Sequence, residues 1–109
     1  MIGDHLVMTA AHILPNVNTC LDATATFHIW PNKRVEAKFD PKFFVTSPEP
    51  PKGSYIDAEH LDYSIVALQK NSDLDGVAPI SIDRVDSSDI SHVFVIQYPL
   101  GHPRRQISL

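Results

Sequence analysis

Short β-rich segments alternate with turn clusters along the whole of this 109-residue chain. The segments are rich in Val, Ile, Thr and Phe, which favour strands, and nine prolines and four glycines punctuate the chain. No long segment has the apolar periodicity of an amphipathic helix. This pattern is typical of an antiparallel barrel or sandwich, so we predict an all-β fold.

The same pattern predicts where the strands lie. We expect strands at residues 6–9, 23–30, 34–39, 40–46, 63–68, 90–98 and 106–109. Pro31-Asn32 should turn the second strand into the third, residues 10–14 should make one helical turn, and the proline-rich segment 47–54 should be a surface excursion. Because alternate residues of a strand share one face, we expect a barrel core made of Phe39, Phe44, Val66, Leu68, Val93 and Val95.

Length, charge and cysteine content limit the classes of function. A chain of 109 residues makes one domain with one modest core. A net charge of −4 with only isolated basic pairs argues against nucleic-acid binding. No apolar run approaches the roughly 20 residues of a membrane helix, so no membrane association is expected. Cys20 is the single cysteine, expected to be a structural or half-exposed thiol, and the absence of disulfides and of a visible signal peptide favours a cytoplasmic protein.

Two segments carry the residues best suited to chemistry. In residues 5–13 an apolar run ends in Thr9-Ala10-Ala11-His12, which is typical of a strand that delivers a histidine into a tight turn. In residues 61–68, Asp62 stands at the start of a second apolar strand. Histidine suits proton transfer because it titrates near physiological pH. A carboxylate beside the ring would fix its tautomer and stabilise the imidazolium that forms.

These strings resemble the histidine and aspartate segments of trypsin-like, chymotrypsin-fold serine peptidases, in which T-A-A-H and D-[IY]-[AS]-[LI]-[LV]-x-L are typical. Ile13 stands where vertebrate digestive members have a cysteine, and residues 95–101 (V-I-Q-Y-P-L-G) are similar to a string of the disulfide-free group. The resemblance implies that residues 1–109 are the N-terminal portion of a peptidase domain, an incomplete antiparallel β-barrel from a double-barrel fold. It also implies that His12 is the general base and acid and that Asp62 is its orienting carboxylate.

The serine of the implied triad is missing from the sequence. No G-[DN]-S-G-G-like loop occurs, and Ser64 does not replace it, because the matching family position is small and packed. We therefore expect the serine and the oxyanion donors downstream of this chain, and no peptidase activity from residues 1–109 alone. The implied substrate is a peptide or protein, and no cofactor is implied.

Two other functions stay open. A catalytically inactive, peptidase-like interaction module would carry the same strings. An unrelated small β-barrel binder should leave His12 and Asp62 far apart, whereas the peptidase hypothesis needs them within hydrogen-bond reach and is contradicted by a gap of more than about 8 Å. The six histidines include His5 and His60, but no H-E-x-x-H or C-x-x-C occurs, so no metal site is expected.

Overall fold

The structure is a computed structural model, and it describes residues 1–29, 31–82, 88, 90–97 and 106–108. Its elements, in chain order, are β1 (Leu6–Thr9), α1 (Val17–Asp22), β2 (Thr24–Ile29), β3 (Lys33–Ser47), β4 (Tyr63–Leu68), a 3₁₀ turn (Ser72–Leu74), β5 (Val95–Gln97) and β6 (Gln106–Ser108). Four strands form an antiparallel sheet in the order β1-β4-β3-β2, which curls into half a barrel. Strands β5 and β6 form a separate antiparallel pair. The prediction of a mostly antiparallel β fold is therefore confirmed.

Strands β2 and β3 form the predicted hairpin, in which Thr24 lies opposite Lys38. Polar and apolar residues alternate along the first half of β3, as expected of a strand with one wet face. The buried face of this half carries Val35, Ala37 and Phe39.

The two strands predicted at residues 34–39 and 40–46 are in fact one strand, β3, which is fifteen residues long. The pairing partner of β3 changes from β2 to β4 near Asp40, and the register shifts between Asp40 and Phe44. Pro41, which has no N–H to donate, lies within this irregularity of the pairing, and the strand continues through it. The long bent strand thus joins the two halves of the sheet.

The core is formed by the four-stranded sheet and by residues of the segments that pack on it. Phe39, Val66 and Leu68 are buried as predicted, and Phe44 packs against them while staying partly exposed. The other buried members of this cluster are Leu14, Cys20, Val35, Ala37 and Leu74.

The predicted burial of Val93 and Val95 is wrong, since their side chains are 65% and 52% exposed. Of the strand predicted at 90–98, only Val95–Gln97 forms a strand, and residue 98 lies outside the described part of the chain. Strand β5 pairs with β6 rather than with the four-stranded sheet, and its consecutive residues Val95 and Ile96 are both exposed. An apolar run identifies a strand but not the layer that covers it.

The sequence pattern does not predict α1, because six residues are too few to show helical periodicity. Asn16 caps its first turn, with the side-chain oxygen accepting from the backbone N–H of Thr19 at 3.0 Å. Cys20 in this helix is buried, which agrees with a structural thiol, and burial raises the pKa of the thiol. Among the described residues, no helix is long and apolar enough to cross a membrane.

Leu68 tests the position of β4 in the core. Its side chain is 3% exposed, and truncating a buried leucine costs about 2–5 kcal/mol. We expect Leu68→Ala to lower the free energy of unfolding by an amount in this range, measured by urea denaturation. The matched control is Val93→Ala, at a side chain 65% exposed, which should change the free energy by about 0.5 kcal/mol or less. Equal losses in the two variants would contradict this arrangement of the core.

Candidate active site

The antiparallel pairing of β1 with β4 brings His12 and Asp62 together. Thr9 lies opposite Ser64 in this pair, so the chain leaving β1 and the chain entering β4 meet at the same end of the sheet. The backbone N–H of Ala11 then donates to the carbonyl of Asp62 at 3.2 Å, which extends the contact beyond the strands. The topology of the sheet thus places His12 beside Asp62.

His12 and Asp62 are joined by two hydrogen bonds. Nδ1 of His12 lies 2.8 Å from Oδ2 of Asp62, and the backbone N–H of His12 donates to Oδ1 at 3.0 Å. Both carboxylate oxygens are therefore engaged by one residue, and the ring is oriented relative to its own backbone. The predicted proximity of the two side chains is confirmed, and the wide separation expected of an unrelated binder is not found. Their catalytic roles stay predictions.

The carboxylate determines which ring nitrogen of His12 is available. An ionised carboxylate can only accept hydrogen bonds, so the nitrogen beside it, Nδ1, carries the proton. In the neutral ring Nε2 is then an unprotonated acceptor. The side chain of His12 is 50% exposed and that of Asp62 is 23% exposed. The ring can therefore meet a reacting group, and the carboxylate is less exposed than the ring.

Asp62 has a backbone conformation that few residues adopt. Its φ of +52° lies in the left-handed region, which Asp, Asn and Gly tolerate better than other residues. Its N–H donates to the carbonyl of Pro48 at 3.1 Å, and its own carbonyl accepts from Ala11. The backbone of Asp62 is thus held between two different segments of the chain.

Ser47 ties down the loop that leads to Asp62. This serine is buried at the end of β3, where its Oγ accepts from the N–H of Leu61 at 2.8 Å and donates to the carbonyl of Glu59 at 3.3 Å. Most of the predicted surface excursion at 47–54 is exposed, as expected. Sequence reasoning missed the role of Ser47, because a serine at a strand end gives no signal of its partners.

Hydrogen bonding lowers the pKa of Asp62. The largest cause is the side-chain hydrogen bond from His12, which favours the ionised carboxylate, and partial desolvation opposes it. The backbone N–H of His12, the charge of its ring and the backbone N–H of Ala11 lower this pKa further. An ionised carboxylate that accepts a hydrogen bond from Nδ1 holds an imidazole in one orientation and one tautomer.

Two further histidine–aspartate contacts are found among the described residues. Nδ1 of His60 is 2.9 Å from Oδ1 of Asp57, and Nδ1 of His5 is 2.6 Å from Oδ1 of Asp4. Both pairs are local in sequence, so a turn or chain adjacency is enough to form them. A histidine–aspartate contact is therefore not specific by itself. His12 differs because its partner is 50 positions away and binds it at two points.

No metal cluster accompanies this pair within the described ranges, and the nearby Ser64 is not placed as a nucleophile. No three His, Cys, Asp or Glu side chains are grouped there as metal ligands. Ser64 is fully buried, and its hydroxyl donates to the carbonyl of Leu14 at 2.7 Å, so it cannot attack a substrate. The packed position expected for Ser64 is confirmed.

Comparisons with protein-family models, with curated proteins and with solved structures find no match. The resemblance to trypsin-like peptidases therefore depends on the strings at residues 9–12 and 61–68 together with the geometry of His12 and Asp62. Of the supporting string at 95–101, residues 98–101 lie outside the described part of the chain.

The lowered pKa of Asp62 predicts a pH dependence of stability. A carboxylate with a lower pKa in the folded state stabilises the fold above its unfolded value of about 3.9, and this contribution disappears as the pH falls through the folded value. We expect the difference in unfolding free energy between the wild-type chain and Asp62→Asn to shrink as the pH falls below about 4. Asn is the substitute because it tolerates the left-handed backbone.

Urea denaturation at a series of pH values measures this difference. The control is the same comparison in a His12→Ala background, which removes the largest cause of the lowered pKa and should give a smaller change with pH. A difference that stays constant to pH 2, about two units below the ordinary carboxyl value, contradicts the prediction.

Proposed function

We propose that this chain is the histidine- and aspartate-bearing barrel portion of a trypsin-like serine endopeptidase, with the nucleophilic serine on a downstream segment. The observation that carries the proposal is the two-point contact of His12 with the Asp62 carboxylate, at 2.8 and 3.0 Å. This contact occurs between the two strings that resemble the family. His12 is the proposed general base and acid, and Asp62 is the proposed orienting carboxylate.

The geometry suits proton transfer by Nε2 of His12. As the oxygen of the incoming serine bonds to the peptide carbonyl carbon, Nε2 takes the hydroxyl proton and the ring becomes an imidazolium. That proton then passes to the leaving amine as the C–N bond breaks, and an acyl-serine remains. Water attacks the acyl-serine with the same assistance, which releases the acid and restores the serine. Asp62 keeps the proton on Nδ1 throughout.

The shape of the sheet supports a barrel. In the order β1-β4-β3-β2 the two outer strands are β1 and β2. Residues of both outer strands, together with the core residue Phe39, line one apolar cleft, which includes Val7, Thr9, Ala25 and Phe27. The curl of the sheet therefore brings its two outer strands to a shared concave face, an arrangement that further strands could complete into a barrel.

Labelling with a serine-directed fluorophosphonate tests the proposal. We expect the protein translated from the full reading frame to be labelled and to cleave a peptide mixture, and residues 1–109 alone to be inert. In the full protein, His12→Ala should lower turnover by several orders of magnitude. Asp62→Asn should lower turnover by about 10⁴-fold, because the carboxamide NH₂ donates to the ring and so favours the tautomer with the proton on Nε2. Asparagine still tolerates the left-handed backbone at this position.

The matched control is His60→Ala, because His60 forms a similar contact with Asp57 at 2.9 Å but lies outside the proposed machinery. This variant should keep its turnover. If the 109-residue chain alone is labelled, the proposal that the nucleophilic serine lies downstream of it is contradicted. A full-length protein that is unlabelled and inert contradicts peptidase activity and favours the inactive interaction module.

A further inference from the structure

The helical turn at residues 10–14 carries His12, and we call it the histidine turn. We propose that Ser64 is a positioning residue for His12, because Ser64 binds this turn at its C-terminal end, Leu14. The part that this positioning plays in catalysis depends on the proposed function. Ser64 lies two residues after Asp62 and is 0% exposed. Its Oγ donates to the carbonyl of Leu14 at 2.7 Å, across 50 positions of sequence. The short segment 62–64 thus binds the histidine turn at both of its ends.

The histidine turn is a small closed unit. The N–H groups of Ile13 and Leu14 both donate to the carbonyl of Ala10, at 3.1 and 3.2 Å, which agrees with the single helical turn predicted there. At the near end of this turn, the N–H of Ala11 donates to the Asp62 carbonyl. At the far end, the Leu14 carbonyl accepts from Ser64. His12 lies between these two anchors, so both must hold for its ring to stay on the carboxylate.

The far anchor is provided by the side chain of Ser64. The backbone of Ser64 lies within β4, where it is flanked by Thr9 of β1 and by Thr46 of β3. The side chain of Ser64 points to the same buried face as Val66 and Leu68, where a hydroxyl must find a partner or lose free energy. Its Oγ also lies 3.0 Å from Oγ1 of Thr46, but the Leu14 carbonyl can only accept a hydrogen bond and therefore takes the hydroxyl proton of Ser64.

Hydrogen exchange on the full 109-residue chain tests this role. We expect Ser64→Ala to speed the exchange of the backbone N–H groups of Ala11 and His12 by about three- to tenfold, the ratio implied by the net loss of one hydrogen bond. The amides of the β2–β3 hairpin should be unaffected, whereas a general loss of stability would speed them as well. The pKa of Asp62, followed by carboxyl NMR, should rise because the His12 hydrogen bond is the largest cause of its low value.

Two variants separate the hydrogen bond from packing. Ser64→Cys keeps nearly the same volume but replaces the hydroxyl with a weak donor, so it should reproduce the effects of Ser64→Ala even where the smaller side chain harms folding. Thr46→Val removes the neighbouring hydroxyl but leaves the bond from Ser64 to Leu14, so His12 exchange and the Asp62 titration should stay as in the unchanged chain. An unchanged Asp62 titration in folded Ser64→Ala or Ser64→Cys overturns the proposal.

The exchange rate of the Ser64 hydroxyl proton in the wild-type chain is an independent test. The hydroxyl proton of Ser64 should exchange slowly enough to be observed by NMR, and exchange as fast as that of the exposed Ser54 also overturns the proposal. None of these readouts requires peptidase activity. If the fluorophosphonate test fails, Ser64 has no role in catalysis, but it can still position His12. The labelling experiment and the exchange and titration experiments therefore test the two proposals separately.

Discussion

The pairing of β1 with β4 is the constraint on which the rest of the site depends. Because the two strands run antiparallel with Thr9 opposite Ser64, the end of one and the start of the other share a corner of the sheet. The turn after β1 and the aspartate before β4 are then neighbours although they are far apart in sequence. Strand β4 also contributes buried side chains at every second position, including Val66 and Leu68, so the core and the site are fixed by the same strand. A shift of one residue in this register would expose that core face and separate His12 from Asp62.

Much of this corner could be predicted from the sequence. Strands β1 and β4 begin and end as predicted, since each is a short apolar run bounded by turn residues. The proximity of His12 and Asp62 was predictable only through the resemblance of their strings to one family, because sequence separation alone says nothing about distance. The partners that stabilise the pair were not predictable. Nothing in the sequence indicates that Asp62 has a φ of +52° or that Ser47 is buried, and the packed position of Ser64 was expected only through the same resemblance.

Helix α1, the continuity of β3 and the location of β5 could not be predicted from the pattern of apolar and polar residues. Helix α1 depends on a single cap at Asn16 and on the burial of Cys20, which are features of tertiary packing rather than periodicity. Pro41 indicates a strand end when considered alone, yet β3 continues through it with a shift of its register against β4. The apolar run around Val95 is equally apolar on both faces, so the sequence could not distinguish a strand in the main core from the separate β5–β6 pair.

The histidine–aspartate contacts described above differ in how much they depend on the fold. His5 and Asp4 are adjacent, and His60 and Asp57 are three apart, so both pairs can form in part in an unfolded chain. The pair of His12 and Asp62 spans 50 positions and exists only when β1 has paired with β4. The local pairs therefore form with little help from the fold. The pair of His12 and Asp62 instead depends on the register of the sheet, on the left-handed backbone of Asp62 and on the buried Ser47 and Ser64 nearby. These requirements converge on one exposed imidazole, and they are the reason that we propose a chemical task for His12 and none for His5 or His60.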